Sequence, residues 1–305
     1  MVTIRNLQKS YGSFKVLDGL YMDIPDGEVY GFLGKNGCGK TTTMNILCNV
    51  IPKDGGDIIL GNGLEAEKIK IGYLPETPSL FGYMDGYEYL KYIAACCDYQ
   101  GDINKRVDEV LEITGMREGA KRRIKGYSRG MNQRLGIASI IFDHPQILVL
   151  DEPTSALDPE GRADIMNVIR LLSDTGCTII LCTHILSDVE KVAGSIGILR
   201  NGRMAAEGKI SDIIAQYSRN EIEIKLYNTD ESGIQAIKAM ESLPQVDKVD
   251  FYERTGTFVI RTVETEELTK RLLTCFEQNS LVPKEFKTVS ESLEEIYLKV
   301  VNGNA

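Results

Sequence analysis

The sequence predicts an α/β fold in which a parallel sheet carries helices, followed by a small α+β unit. Two continuous apolar runs, at residues 29–33 and 147–150, are typical of strands that are buried on both faces. After residue 220 the pattern changes to strand, helix, strand, strand and helix, which predicts a unit of split βαβ type. The length of 305 residues agrees with about two domains.

The opening segment predicts antiparallel strands. Apolar and polar side chains alternate over residues 2–5 and again over residues 20–24, ahead of a turn at residues 25–27. This alternation is typical of strands with one buried face. Tyr11 lies in a turn between these strands. From the local sequence it is either an ordinary half-buried ring or a ring that stacks on a nucleotide base.

The loop after the first buried run predicts a phosphate-binding site. Its position between a strand and a helix is the context that the Walker A motif requires. Glycines let backbone N–H groups turn toward a polyphosphate, and the helix N-terminus adds further donors. We expect Lys40 to reach the β- and γ-phosphates and the Thr41 hydroxyl to bind Mg²⁺. The loop consists of Gly34, Lys35, Asn36, Gly37, Cys38, Gly39, Lys40, Thr41 and Thr42.

One residue of this loop carries a thiol. Cys38 lies beside Gly39 and Lys40 near the predicted helix N-terminus. These neighbours predict a lowered pKa for the Cys38 thiol and therefore sensitivity to thiol reagents. The other six cysteines show no CxxC spacing, and we expect them to be reduced in a cytosolic protein.

Acidic and histidine side chains follow three further predicted strands. Glu76 stands where a carboxylate can bind Mg²⁺ or its water. Asp151 and Glu152 end the second buried run, where two acids need a cation. We expect Asp151 to orient Mg²⁺ and Glu152 to polarise water, which is the Walker B pattern. His184 ends a later buried strand, at the edge where open α/β sheets bind ligands.

The motifs place the nucleotide-binding core in residues 1–210. Within it, apolar residues recur at helical spacing over about residues 77–135, which predicts a helical insertion. A linker at residues 211–220 leads to a small α+β domain at residues 221–305, where we find no motif for chemistry.

The amino-acid composition and charge limit the kinds of partner and location that we expect for the protein. The net charge of −9 argues against a general nucleic-acid binder, and the densest basic segment, residues 117–125, is interpreted as a solvated loop. No apolar run approaches the roughly 18 residues of a membrane span. The N-terminal residues do not predict a signal peptide, so we expect a cytoplasmic location.

Taken in order, these motifs resemble the ATP-binding subunit of ABC transporters over residues 1 to about 210. The resemblance implies that Tyr11 stacks on adenine. It also identifies residues 127–131 as the ABC signature, with Ser128 and Gly130 as phosphate contacts. Asp158 then belongs to the D-loop of the family.

The same resemblance assigns the catalytic roles. Glu152 corresponds to the general base, His184 to the switch histidine and Lys40 to the Walker A lysine, with Thr41, Glu76 and Asp151 at the metal. Glu76 departs from the family pattern, which has Gln there. Arg129 and Met131 depart from the signature pattern Leu-Ser-Gly-Gly-Gln. Such variants resemble those of bacterial exporters whose membrane subunit is a separate chain, as does the ending at residues 292–298.

The resemblance implies a P-loop NTPase core of ABC type that uses ATP and Mg²⁺. It further implies a composite site between two ATP-binding subunits, in a homodimer or a heterodimer. A separate transmembrane permease would hold the protein at the inner face of the cell membrane. Two alternatives remain open: a soluble ABC ATPase with a non-transport role, and a regulator that binds ATP without hydrolysing it. The second is consistent with Glu76, which stands where the family has Gln.

Overall fold

The computed structural model describes residues 2–61, 69–217, 220–227, 231–262, 265–289 and 291–303. The chain divides into two compact units, Met1–Ile210 and Ser211–Ala305. Within the described ranges, no helix is long and apolar enough to cross a membrane.

The first unit contains nine described strands and six described helices. The strands are β1 (Val2–Tyr11), β2 (Phe14–Ile24), β3 (Val29–Gly34), β4 (Gly55–Leu60), β5 (Ile71–Leu74), β6 (Ile147–Asp151), β7 (Thr178–Thr183), β8 (Ser195–Arg200) and β9 (Arg203–Lys209). The helices are α1 (Lys40–Leu47), α2 (Gly86–Cys96), α3 (Ile103–Ile113), α4 (Arg129–Ile140), α5 (Pro159–Ser173) and α6 (Leu186–Val192).

A six-stranded sheet forms the centre of this unit, in the order β5-β6-β7-β3-β8-β9. The first five of these strands are parallel, and β9 closes an antiparallel hairpin with β8. Every residue of β3, β6 and β7 is buried, which explains their unbroken apolar sequences. Because the strands are parallel, the segments that follow β3, β5, β6 and β7 meet at one edge of the sheet.

A three-stranded antiparallel sheet, in the order β2-β1-β4, accompanies the central sheet. The pairing begins at Val2 with Ile24 and ends at the hairpin where Tyr11 faces Phe14. Both sheets contribute to a single hydrophobic cluster, in which Met22 of β2 packs with Phe32 of β3 and other buried side chains. The two sheets therefore hold the glycine loop, which starts where β3 ends, on a shared core.

Three helices lie between β5 and β6, where the sequence predicts a helical insertion. Polar side chains mark where these helices begin: Asp85 forms a capping box with Glu88, Asp102 caps α3 and Ser128 caps α4. A short 3₁₀ helix, Ile124–Gly126, precedes α4. These caps set the start of α4 directly after the predicted signature serine.

The second unit is an antiparallel sheet with helices. Its elements are α7 (Ile210–Tyr217), β10 (Asn220–Leu226), α8 (Glu231–Lys238), β11 (Val246–Tyr252), β12 (Thr257–Thr262), α9 (Thr265–Gln278), β13 (Pro283–Val289) and α10 (Leu293–Asn302). The strand order is β11-β12-β10-β13, and each neighbouring pair is antiparallel. Strand, helix, strand, strand, helix and strand in this order form a ferredoxin-like split βαβ arrangement.

The sheet of the second unit has one apolar and one charged face. Ile222, Ile224, Phe258 and Ile260 belong to the hydrophobic cluster that also contains Leu272 of α9. The odd-numbered residues that alternate with them form cross-strand ion pairs, such as Arg261–Glu221 at 2.8 Å and Lys225–Glu285 at 2.8 Å. Paired charges of this kind are typical of a solvated sheet face.

Candidate functional site

The glycine loop connects β3 to α1 in a conformation that only glycine adopts readily. Gly37 and Gly39 have φ angles of 78° and 113°. Gly39 is the N-cap of α1 and has no side chain, so the first N–H groups of the helix have no side-chain acceptor at this position. The loop thus offers backbone donors and a positive helix end to an anion.

Lys40 lies at the start of α1 and is almost completely buried. Its Nζ atom donates a hydrogen bond to the Gly34 carbonyl at 2.7 Å. A buried ammonium group is costly unless anions or acceptors surround it. The Lys40 side chain therefore folds back along the loop, with its charge at the place where the loop turns.

Asp151 ends β6 and is 3% exposed. Burial raises the pKa of the Asp151 carboxyl above its ordinary value; a hydrogen bond with the Thr41 side chain opposes this, and the charge of Glu152 adds to it. Within the described part of the chain, Asp151 Oδ1 has no hydrogen-bond partner. A buried carboxylate oxygen without a partner is the kind of group that a cation satisfies.

Glu152 and His184 lie in direct contact. Glu152 has a φ angle of 49°, and its backbone N–H donates to the Cys182 carbonyl at 2.8 Å. The two carboxylate oxygens of Glu152 lie 3.0 and 2.9 Å from His184 Nδ1. Thr183 Oγ1 also donates to Glu152 Oε2, at 3.2 Å. These contacts fix the orientation of a carboxylate that can accept a proton from water.

Glu76 follows β5, and its backbone is tied to α4. Gln133 Nε2 donates to the Glu76 carbonyl at 2.9 Å, and Gln133 is 3% exposed. The link joins the segment after β5 to the helix that Ser128 caps.

These groups surround one cavity of about 430 Å³ at the carboxyl edge of the parallel strands. It brings together the glycine loop, the start of α1 and the residues after β5, β6 and β7. Its lining consists of Val16, Asn36, Gly37, Gly39, Lys40, Thr41, Thr42, Glu76, Asp151, Glu152, Ser155 and His184. All three predicted catalytic residues and all three predicted metal ligands are among them.

Two lining residues were not predicted as site residues. Val16 lies in β2 and contributes an apolar side chain beside Gly39. Nothing in the alternating pattern of a strand marks one apolar residue as facing the cavity, so only the three-dimensional arrangement reveals it. Ser155 lies three residues before Asp158 of the predicted D-loop, and no contact was predicted for its own side chain.

The remaining predicted binding residues do not line this cavity: Tyr11, Gly34, Lys35, Cys38, Ser128, Gly130 and Asp158. Tyr11 is 54% exposed, and Lys9 Nζ lies 5.6 Å from its ring centroid. Ser128 accepts a hydrogen bond from Met131 N at 3.2 Å, and Asp158 accepts one from Gly161 N at 3.0 Å. These two side chains cap helices in this structure, and their contacts with nucleotide stay predictions.

The prediction of a lowered pKa for the Cys38 thiol is wrong. Burial raises the pKa of Cys38, and the nearby charge of Lys40 lowers it by less. The sulfur is turned toward β3, where a Cβ atom built on Gly34 would lie 2.5 Å from Cys38 Sγ. The loop directs this side chain into the core, so the proximity of the helix N-terminus does not decide its ionisation.

A larger cavity of about 590 Å³ lies at the opposite edge of the parallel strands, near Ile147 and Thr178. It contains none of the predicted site residues and is lined mainly by apolar groups. Size alone therefore does not identify the functional site, since the chemical groups converge on the smaller cavity.

Comparison with known proteins identifies relatives of the whole chain. The family model described as ABC transporter matches residues 17–155. The bacitracin transport ATP-binding protein BcrA of Enterococcus faecalis is 32% identical over 311 residues, which cover 99% of this chain and 97% of that protein. The linearmycin resistance ATP-binding protein LnrL of Bacillus subtilis (strain 168) is 30% identical over 307 residues, 98% of each.

A solved structure shows the same core. The dimeric structure of a post-hydrolysis state of the ATP-binding cassette MJ0796, bound to ADP and Pi, superimposes with a TM-score of 0.61 at 26% identity. The match covers 69% of this chain and 99% of that one. The predicted fold class is thereby confirmed.

Proposed function

The chain belongs to the ABC transporter family of ATP-binding, ATP-hydrolysing proteins, and from this we propose that it powers export of a substrate through a separate transmembrane permease. The names of two relatives that match almost their whole length support this proposal. One is a bacitracin transport protein and the other a linearmycin resistance protein. Transport and resistance together favour outward movement of the cargo.

The observation that carries the hydrolytic role is the Glu152–His184 pair at the edge of a cavity that also contains Lys40. In this proposal Glu152 accepts a proton from the attacking water while the bond from the γ-phosphorus to the bridging oxygen breaks. His184 holds the Glu152 carboxylate in place. Lys40 and the backbone N–H groups of the glycine loop neutralise the phosphate charge that develops.

The residues at the cavity fit Mg²⁺ as a companion of ATP. Thr41, Glu76 and Asp151 would hold it. Asp151 Oδ1, which is buried without a hydrogen-bond partner, is suited to be a ligand of the ion. Bound Mg²⁺ supplies positive charge to the phosphate oxygens. Among the described residues, no group of three His, Cys, Asp or Glu side chains is arranged as a metal cage. A Mg²⁺ ion that takes phosphate and water as further ligands does not need one.

We propose a composite site shared by two ATP-binding subunits. Ser128 and Gly130, the predicted phosphate contacts of the signature, do not line the cavity of their own chain. A second subunit, either a copy or a related chain, would present its signature to this cavity. ATP binding would close the pair, and hydrolysis would reopen it. Through the permease, the pair would lie at the inner face of the cell membrane.

The test uses an affinity-tagged chain purified from membranes of its source cell, as wild type and as Glu152→Gln. We expect both to co-purify with one chain that has several membrane spans. Glu152→Gln should retain ATP binding and lose roughly 10²–10⁴-fold in hydrolysis, because it lacks the general base. Export of the cargo should stop in the variant.

The matched control is Glu160→Gln, which removes the same charge at an exposed position in the first turn of α5. It should hydrolyse ATP like the wild type. Near-normal hydrolysis in Glu152→Gln would remove that residue from the role, and repeated purification without any membrane chain would contradict the transport proposal.

A further inference from the structure

A buried carboxylate that the proposed mechanism does not use lies close to the site. Asp188 belongs to α6 and is 0% exposed. A buried carboxylate is costly unless it is paired and hydrogen-bonded. The hydrogen-bond partners of Asp188 therefore indicate the role of this carboxylate.

Asp188 is held by two side chains from different segments. Thr154 Oγ1 donates to Asp188 Oδ2 at 2.7 Å. Arg162 Nε lies 2.7 Å from Oδ1 and 3.0 Å from Oδ2. Arg162 also donates through Nη2 to Ser187 Oγ at 2.9 Å. Charge-assisted contacts of this length are among the stronger hydrogen bonds in proteins.

The three segments that meet at this carboxylate each carry a predicted site residue. Thr154 follows Glu152 by two residues and is 2% exposed. Asp188 follows His184 by four residues. Arg162 lies on α5, one turn after Asp158, which caps that helix. The network thus joins the segment after β6 to the segment after β7. Glu152 and His184, the first residues of these two segments, are in contact at 2.9 Å.

We propose that Asp188 is a positioning residue that keeps Glu152 and His184 in contact, acting through Thr154 and Arg162. This inference rests on the proposed hydrolytic role of Glu152. Because Glu152 adopts a φ angle of 49°, the turn it begins needs fixed neighbours to persist. The Thr154–Asp188 bond anchors this turn to α6, and the bifurcated contact of Arg162 Nε with both carboxylate oxygens sets the direction of the carboxylate.

General stabilisation is a poor explanation for this network. Replacement of a buried ion pair by apolar residues of similar volume is often neutral or stabilising. A buried pair that joins three functional segments instead fixes their relative geometry. A side chain that orients others is expected to affect turnover more than nucleotide binding.

The phosphate loop is held by contacts outside this network. Lys40 Nζ bonds to the Gly34 carbonyl at 2.7 Å, and Thr43 Oγ1 bonds to the Gly39 carbonyl at 2.8 Å. Loss of Asp188 should therefore leave the loop intact. A variant that lacks the Asp188 carboxylate should then have a lower kcat and a nearly unchanged KM for ATP.

The test compares wild type, Glu152→Gln and Asp188→Asn as purified full-length chains. Asp188→Asn keeps the volume and removes the charge that orients Arg162. We expect its kcat to fall about tenfold or more, with a KM for ATP within about threefold of wild type. The rise in Tm on adding ATP should be retained, since it reports binding to the folded state.

Thr154→Val is a second, milder variant that removes only the hydroxyl donor to Asp188. It should lower kcat by about three- to tenfold and leave the KM for ATP nearly unchanged. If Asp188→Asn fails to fold, this variant decides the matter. Glu190→Gln, which removes an exposed carboxylate from the same helix α6, is the control and should behave like wild type.

A folded Asp188→Asn with wild-type kcat overturns the inference, as does wild-type kcat in Thr154→Val. A joint loss of kcat, ATP affinity and the ATP-induced Tm shift also overturns it, because that pattern belongs to a purely structural residue. Glu152→Gln separates this failure from that of the proposed function: if it hydrolyses ATP normally, both proposals fall. If it alone loses turnover, only the role of Asp188 is rejected.

Discussion

At the residue scale, Asp151 and Glu152 show how the backbone gives two adjacent carboxylates different environments. Asp151 is the last residue of β6, and its buried side chain has a raised pKa. Glu152 leaves the strand with a φ angle of 49°, so its side chain meets Thr183 and His184 instead. The residue types were readable from the sequence. The left-handed turn that separates the two side chains was not, because Glu adopts it only when tertiary contacts enforce it.

Cys38 gives a prediction at the same scale. Burial raises the pKa of its thiol, so the thiolate fraction at a given pH is smaller than for an ordinary cysteine. Cys96 is exposed and should react first. With N-ethylmaleimide at pH 7, we expect alkylation of Cys38 to be at least about tenfold slower than that of Cys96. Mass spectrometry at timed intervals measures both rates.

ATPase activity provides the functional readout of this experiment. It should persist while Cys96 becomes modified, and Cys96→Ala should abolish the fast phase of labelling without changing activity. Faster labelling of Cys38 than of Cys96 would contradict the burial argument. The rate at Cys38 should keep rising as the pH increases beyond the ordinary thiol range, since ionisation there is delayed.

At the element scale, β3 approaches α6 closely at Gly31. A Cβ atom built on Gly31 would lie 2.4 Å from Val189 Cγ1 and 3.0 Å from Ile196 Cγ2. Contacts this short cannot persist, so Gly31→Ala must shift the Val189 and Ile196 side chains or the elements that carry them. We expect a destabilisation of about 1–3 kcal/mol, seen as a decrease in Tm of about 2–12 °C.

The control for this prediction is Gly126→Ala. No atom lies within 4 Å of a Cβ built on Gly126, and its φ angle is not positive. This substitution should leave Tm nearly unchanged or raise it slightly, because alanine restricts the unfolded chain. Equal Tm values for the wild type and Gly31→Ala would show that α6 can move away without cost.

The elements themselves were predictable to different degrees. The buried strands β3, β6 and β7 were evident because short continuous apolar runs are typical of strands that are buried on both faces. The edge strand β13 was not predicted. It begins at Pro283 and contains Lys284, Glu285 and Lys287, which are features of an exposed edge strand and equally of a loop. The first helix predicted after residue 220 is α8, which ends at Lys238 and continues as the 3₁₀ helix Ala239–Ser242.

At the scale of the whole molecule, the first unit contains an incomplete site if two subunits share it as proposed. Its cavity brings together the glycine loop and the Glu152–His184 pair, while the predicted signature residues Ser128 and Gly130 do not line it. Motif order supplied the list of candidate residues. Which of them share one cavity depends on chain topology, because strand order in the sheet is not encoded in local patterns.

The proposed composite site would make ATPase activity depend on association. If each site is completed only when two chains meet, activity per chain should fall on dilution below the dissociation constant of the pair. Light scattering at the same concentrations should show the corresponding loss of dimer. Constant activity per chain with only monomer present would contradict a shared site.

Mixing two inactive variants tests the same arrangement more sharply. Glu152→Gln disables the base of its own cavity, and Ser128→Arg disables the signature that the chain offers to its partner. Each variant alone forms dimers with two defective sites. In a symmetric pair of copies, a mixed dimer combines both defects in one site and leaves the other site intact. Random mixing should therefore restore up to about a quarter of wild-type activity. A site built within one chain cannot be restored in this way, so a mixture of folded, associating variants that stays inactive would rule out the shared site between copies.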